Sequence, residues 1–163
     1  MYFSTNYESP LGNLFIVSDA KSICGVWFYN QKHFKSSIKQ EIVENDDLPI
    51  FKVVKKWFDD YFNGLNPKID FKLNPHGSEF RCRVWEVLRE IPYGESLTYG
   101  EIAKRISPTM SAQAVGGAVG HNPIAILIPC HRVMGAKGKI TGYAAGLDRK
   151  IELLKLEKIE FKL

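Results

Sequence analysis

The chain changes texture once, near residue 77, and that change limits the folds open to it more than any other feature. Before it, short apolar runs alternate with turn formers: Tyr2-Phe3, then Ser9-Pro10-Leu11-Gly12, then Leu14-Phe15-Ile16-Val17, then Ile23-Cys24-Gly25-Val26-Trp27-Phe28. Runs of β-branched and aromatic residues bounded in this way predict a small antiparallel sheet. Phe51 to Phe62 then places Val54, Trp57, Phe58, Tyr61 and Phe62 at helical spacing and stops at Asn63-Gly64, which predicts a helix with a C-terminal glycine. Asn66-Pro67 and Asn74-Pro75-His76-Gly77 read as linker.

Beyond Ser78 the period becomes helical. Phe80, Val84, Val87, Leu88 and Ile91 line one face, Ser78 is placed to cap the first turn, and Pro92-Tyr93-Gly94 ends the element. Thr98 followed by Glu101 forms a capping box, so a second helix carries Ile102, Ala103 and Ile106 until Ser107-Pro108 closes it. A third, short helix begins near Ser111 and holds Ala112, Ala114, Val115, Gly116, Gly117 and Ala118. Two short helices joined by a tight turn suggest a helix-turn-helix. Adjacent glycines each cost about 1 kcal/mol in a helix relative to alanine, so something must approach closely. Tight helix-helix packing and a phosphate backbone are the two readings. The chain is expected to be α+β, with an N-terminal lobe over 1–76 and a C-terminal lobe over 77–163.

Composition narrows the class without choosing a function. A chain of 163 residues is long enough for two small lobes, and 45% hydrophobic with 25% charged residues is ordinary for a globular protein. No window approaches the ~20 apolar residues of a membrane span, and no basic stretch leads into an apolar run at the N-terminus, so a cytoplasmic protein is expected. The three cysteines are odd in number and far apart, which argues against a disulfide framework. Neither they nor the four histidines have metal-ligand spacing, so no structural zinc is expected. A net charge of +4 permits a polyanionic partner without requiring one.

Ile124-Ala125-Ile126-Leu127-Ile128 must be buried, and it delivers the chain into Pro129-Cys130-His131-Arg132. A free thiol is mostly protonated at neutral pH, so a nucleophilic cysteine needs a base or a positive neighbour. His131 is adjacent, Arg132 adds positive potential, and a bridging water would let His131 reach Cys130. On the last helix Leu147, Ile151 and Leu154 mark an apolar stripe, and Glu157 follows on the same side as the carboxylate that would orient His131. From environment alone, a cysteine after an apolar run is more often a buried structural residue, and a Glu157 solvated at the helix end is as open a reading as a buried one. Cys24 and Cys82 read as structural.

The hexamer Ile128-Pro129-Cys130-His131-Arg132-Val133 resembles the active-site signature of the O6-alkylguanine-DNA alkyltransferases. Val84-Trp85, Ile91-Pro92-Tyr93-Gly94, Thr98 to Ala103, Ala114 to Ala118, Asn122-Pro123 and Gly142-Tyr143 through Glu157 follow the same family in collinear order. Ser9-Pro10-Leu11-Gly12 is similar to its N-terminal lobe. The resemblance implies a ribonuclease H-like sheet lobe packed on a helical lobe with a winged-helix-like helix-turn-helix. It also implies a monomer that binds double-stranded DNA in the minor groove and flips an alkylated guanine out of the stack. The alkyl group then passes irreversibly to Cys130, with O4-alkylthymine as a second candidate substrate and no cofactor.

Residue roles follow from the same resemblance. Cys130 attacks, His131 and Glu157 take its proton, Tyr99 donates a hydrogen bond to the leaving base, and Asn122 ties the recognition helix to the active-site segment. Val133 offers a carbonyl to the guanine amine, Tyr143 walls the pocket near Lys150, and Ala144 and Ala145 stand where serine and glycine are frequent in the family. Thr98, Tyr99, Ala112, Gln113, Ala114, Gly116, Gly117 and Arg132 face DNA, with Gln113 where many members have an intercalating arginine. A damaged-base sensor and a DNA-binding regulator, neither repairing anything, are the alternatives.

Overall fold

The computed structural model describes all residues, 1–163. It divides into two compact units, each described by itself: Met1–His76 with Pro123–Ala125, and Gly77–Asn122 with Ile126–Leu163. The division expected after His76 thus has an exception, because Pro123–Ala125 returns to the first unit. That segment is held to the sheet by backbone pairing, with Val26 N–H donating to Pro123 O at 2.9 Å and Ala125 N–H donating to Val26 O at 2.9 Å. Three residues of apolar chain therefore join the sheet edge, a long-range pairing that local sequence does not reveal.

In the first unit β1 (Tyr2–Ser9), β2 (Gly12–Ser18) and β3 (Ile23–Phe28) form an antiparallel meander, as their alternation predicts. The β1–β2 turn is set by Ser9, whose hydroxyl donates to Gly12 O at 2.5 Å and accepts from Leu11 N–H at 3.1 Å. A short β4 (Ile42–Glu44) pairs parallel to β1 and completes the order β3-β2-β1-β4. Its three residues are too few to show alternation. Helix α1 (Pro49–Phe62) buries Val54, Trp57, Phe58 and Tyr61 of the stripe read from the sequence, with Phe51 added and Phe62 only half-buried, and has Pro49 in the first turn where its missing N–H costs nothing.

The second unit is helical. Helix α2 (Glu79–Arg89) starts at Ser78, whose hydroxyl accepts from Arg81 N–H, and buries Val84, Trp85, Val87 and Leu88. A capping box at Thr98 starts α3 (Tyr99–Ile106), and the Ser111 hydroxyl caps α4 (Ala112–Gly120). Caps of this kind satisfy orphan amides and are each worth about 1 kcal/mol. The Trp85 indole donates to Ala118 O at 2.9 Å and locks α2 onto α4. Two short strands, β5 (Leu97–Thr98) and β6 (Val133–Met134), pair in parallel, and α5 (Leu147–Leu156) closes the unit. No helix is long and apolar enough to cross a membrane.

Candidate active site

The apolar run Ile124–Ile128 is buried as expected; after the bridge at Ile124 it continues as turns. Ile126 even takes a φ of 71°, which a β-branched residue adopts at a cost of about 1–3 kcal/mol. Asn122, in the turn that follows α4, offsets part of this by donating its side-chain N–H to Ile128 O at 2.7 Å. The chain so held passes through Pro129 into a 3₁₀ turn, Cys130–Arg132, that aims two successive side chains inward. Cys130 is 7% exposed and His131 fully buried.

Glu157, the residue that caps the C-terminus of α5, reaches the same turn. Its Oε2 lies 2.5 Å from His131 Nε2, and its Oε1 accepts from Arg132 Nε at 2.7 Å and from Gly94 N–H at 3.3 Å. Burial favours the neutral acid, but His131 and Arg132 outweigh it and hold the carboxyl down at about 2. Glu157 is therefore an acceptor at neutral pH. Burial also lowers the His131 pKa, which its partner Glu157 opposes, so the imidazole is neutral. A neutral ring facing a carboxylate carries its proton on Nε2, and Nδ1 keeps its lone pair; that atom is buried with no protein partner.

Burial pushes the Cys130 thiol up, against the opposing pull of Asn122, Lys150 and Tyr143, so the resting group is S–H. The Tyr143 hydroxyl is buried without a hydrogen-bond partner of ordinary length and interacts with the Cys130 sulfur at longer range. Lys150 is wholly buried on α5; its Nζ donates to Val133 O at 2.7 Å, and burial brings it down to about 8 although Cys130 opposes the change. Tyr99, at the start of α3, shares a 3.1 Å hydrogen bond with Thr141, and burial raises its hydroxyl pKa against the pull of that bond.

Helix α4 presents a different surface. Ala112, Gln113, Ala114 and Gly117 are exposed, whereas Val115, Ala118 and Val119 face the core. A Cβ at Gly117 would meet nothing within 4 Å, and one at Gly116 would touch the Tyr99 ring at an ordinary 3.9 Å. Packing inside the protein thus does not require either glycine.

The structure gathers Cys130, His131, Glu157, Tyr99, Asn122, Tyr143 and Lys150 in one unit, and two expectations need correction. Arg132, expected to face DNA, is turned inward: besides Glu157, its guanidinium donates to Ile91 O at 2.6 Å and stacks 5.8 Å from the Tyr93 ring. Leu147, expected in the buried stripe of α5, is 44% exposed, and Lys150 with Leu153 and Leu154 takes the core side instead. Thr98 is spent on the capping box, and Val133 O already accepts from Lys150, leaving one lone pair for any further donor. Ala144 is half-buried and Ala145 buried. Thr141, which the sequence reading passed over, bonds both Tyr99 and Lys150.

Two family models match the chain: the ribonuclease-like domain of 6-O-methylguanine DNA methyltransferase over residues 1–75, and its DNA-binding domain over 79–159. The chain belongs to the 6-O-methylguanine DNA methyltransferase family. It is 46% identical to a methylated-DNA–protein-cysteine methyltransferase of Methanosarcina acetivorans over 96% of this chain and 98% of the relative. It is 43% identical to one of Haemophilus influenzae, over 98% and 88%. Among solved structures, the Mycobacterium tuberculosis O6-methylguanine methyltransferase superposes with a TM-score of 0.86 at 39% identity, covering 97% of this chain and 93% of that one. The M. tuberculosis OGT in complex with DNA gives 0.84 at 39% identity over 96% and 92%. The relatives are named for transfer to a protein cysteine, and the buried thiol beside the His131–Glu157 pair in this chain is Cys130.

Proposed function

We propose that the chain repairs O6-alkylated guanine in double-stranded DNA by moving the alkyl group, once per molecule, onto the sulfur of Cys130. The observation that carries this reading is the 2.5 Å pairing of His131 Nε2 with Glu157 beside a nearly inaccessible thiol. That pairing leaves Nδ1 of His131 as the base. A water between Nδ1 and Sγ satisfies both buried groups and carries the proton away as sulfur attacks the alkyl carbon. The S–C bond forms as the C–O6 bond breaks, Tyr99 supplies a proton to the departing base, and the imidazolium is stabilised by ionised Glu157. A thioether offers no leaving group for return to the thiol, so turnover stops after one event.

A base still stacked in a duplex does not reach an atom as deep as Cys130, so the nucleotide leaves the stack. The outer face of α4 supports minor-groove docking: a groove about 6 Å wide tolerates alanine and glycine against its walls. Gln113 is the long side chain on that face and enters the gap left by the base. Residues 77–163 bind DNA and accept the alkyl group, 1–76 form the supporting lobe, and the protein acts as a monomer. A sensor that repairs nothing has no use for a buried thiol beside a histidine paired with an ionised carboxylate.

Excess duplex bearing one O6-methylguanine tests the stoichiometry. Repair should plateau at one lesion per chain and be absent in Cys130→Ser, which still binds; continued linear turnover would refute the single-use mechanism.

A further inference from the structure

Away from the His131–Glu157 relay, Tyr99 and Lys150 meet at Thr141. The Thr141 Oγ1 lies 3.1 Å from the Tyr99 hydroxyl and accepts from Lys150 Nζ at 3.4 Å, while a second Lys150 proton goes to Val133 O at 2.7 Å. A threonine hydroxyl has one proton, and an ammonium is donor only. With Lys150 donating, the Thr141 proton goes to Tyr99 Oη, and the Tyr99 O–H is left to point elsewhere. The threonine is held in place by packing: a Cβ on Gly135 would come within 2.9 Å of its Cγ2 and 3.3 Å of Lys139 O. Gly135 N–H also donates to Lys139 O at 2.8 Å, closing the loop around it.

We propose that Thr141 is a positioning residue for the transfer, linking Lys150 to Tyr99 so that the Tyr99 proton faces the departing guanine and is replaced from Lys150. The proposal rests on the repair reading above. As the C–O6 bond breaks, its electron pair goes to the guanine, which takes the Tyr99 proton. Tyr99 takes the Thr141 proton, and Thr141 takes one from Lys150. His131 gains the proton lost by Cys130, so the protein ends with one proton more on His131 and one fewer on Lys150, and both recover by exchange with solvent. The titratable groups facing Lys150 are Cys130 and His131, with Tyr99 across Thr141. The rate should therefore rise with pH as His131 loses its proton and fall again near pH 8 as Lys150 loses its own.

The test is the single-turnover methyl-transfer rate against pH for wild type, Thr141→Val, Thr141→Ser and Gly135→Ala on a duplex with one O6-methylguanine. Thr141→Val should slow transfer by roughly 10- to 100-fold and flatten the alkaline fall, with duplex binding unchanged, because general acid assistance is worth at least that much. Thr141→Ser should restore both rate and pH profile, and Gly135→Ala should reproduce part of the loss. A methylated wild type beside an equally fast Thr141→Val overturns this inference alone, as does a slow Thr141→Val that keeps the wild-type pH profile. A wild type that acquires no methyl overturns the repair reading and this one together.

Discussion

The Cys130 turn and the outer face of α4 lie close in sequence within the same helical unit, and they are built on opposite plans. Around Cys130 the polar groups are tied down internally: Glu157 holds His131, Arg132 and Gly94 N–H, Asn122 holds Ile128 O, and Lys150 holds Val133 O. On α4 the exposed positions other than Gln113 are alanine and glycine, and the space at Gly117 is empty to 4 Å. Chemistry needs its groups preset to within about 0.5 Å, which internal bonds provide. Close docking needs a surface that stays bare until the partner covers it. Substitutions should therefore separate the two regions: at the turn stability and rate fall together, while on α4 stability and binding move apart.

The largest effect should come from Glu157→Gln. Removing one member of a buried ion pair costs about 3–5 kcal/mol, and the loss of the His131 anchor should slow methyl transfer by roughly 100-fold. Thermal melts and single-turnover kinetics measure both. The wild type carries a matching pH signature. Glu157 is depressed from 4.5 to about 2, so its contribution of roughly 3 kcal/mol is complete above pH 4.5 and is lost as the pH falls toward 2. His131, depressed below 6.5, adds to acid sensitivity, because the unfolded chain takes up its proton first. Stability should thus decline on acidification from about pH 6.5, and Glu157→Gln should lose the component below 4.5.

Asn122→Ala should act next most strongly. It strands the buried Ile128 carbonyl at a cost of about 1–3 kcal/mol and loosens the strained approach to Cys130, lowering the transfer rate while duplex affinity holds. Gly117→Ala sharpens the comparison most. It should raise stability by about 1 kcal/mol through helix propensity yet weaken duplex binding several-fold; stabilisation without loss of binding would remove α4 from the interface. Gln113→Arg should have the smallest effect, tightening binding to damaged duplex about threefold by adding charge and stacking, with no change in melting temperature.

Much of this was legible in the sequence because it is encoded locally. Ser78, Thr98 and Ser111 are caps whose hydroxyls bond amides of the first helical turn, and the His131–Glu157 pairing is the one read from a helix face. What the sequence concealed depends on pairing across the fold. Arg132 read as a DNA contact and Lys150 only as a neighbour of the Tyr143 wall, because cations are seldom buried, and it is a distant carboxylate and a distant carbonyl that draw them inward. β4 is too short to alternate, and Pro123–Ala125 joins a sheet whose strands lie far away in sequence. Thr141 sits in a loop of glycines and lysines where a single hydroxyl gives no pattern.

The central claim is transfer to one sulfur, and peptide-resolved mass spectrometry tests it most directly. After incubation with a duplex carrying one O6-methylguanine, the protein should gain a single methyl, located on Cys130, with Cys24 and Cys82 unmodified and Cys130→Ser unchanged in mass. A methyl on another residue, or unmodified Cys130 alongside repaired DNA, would contradict the account.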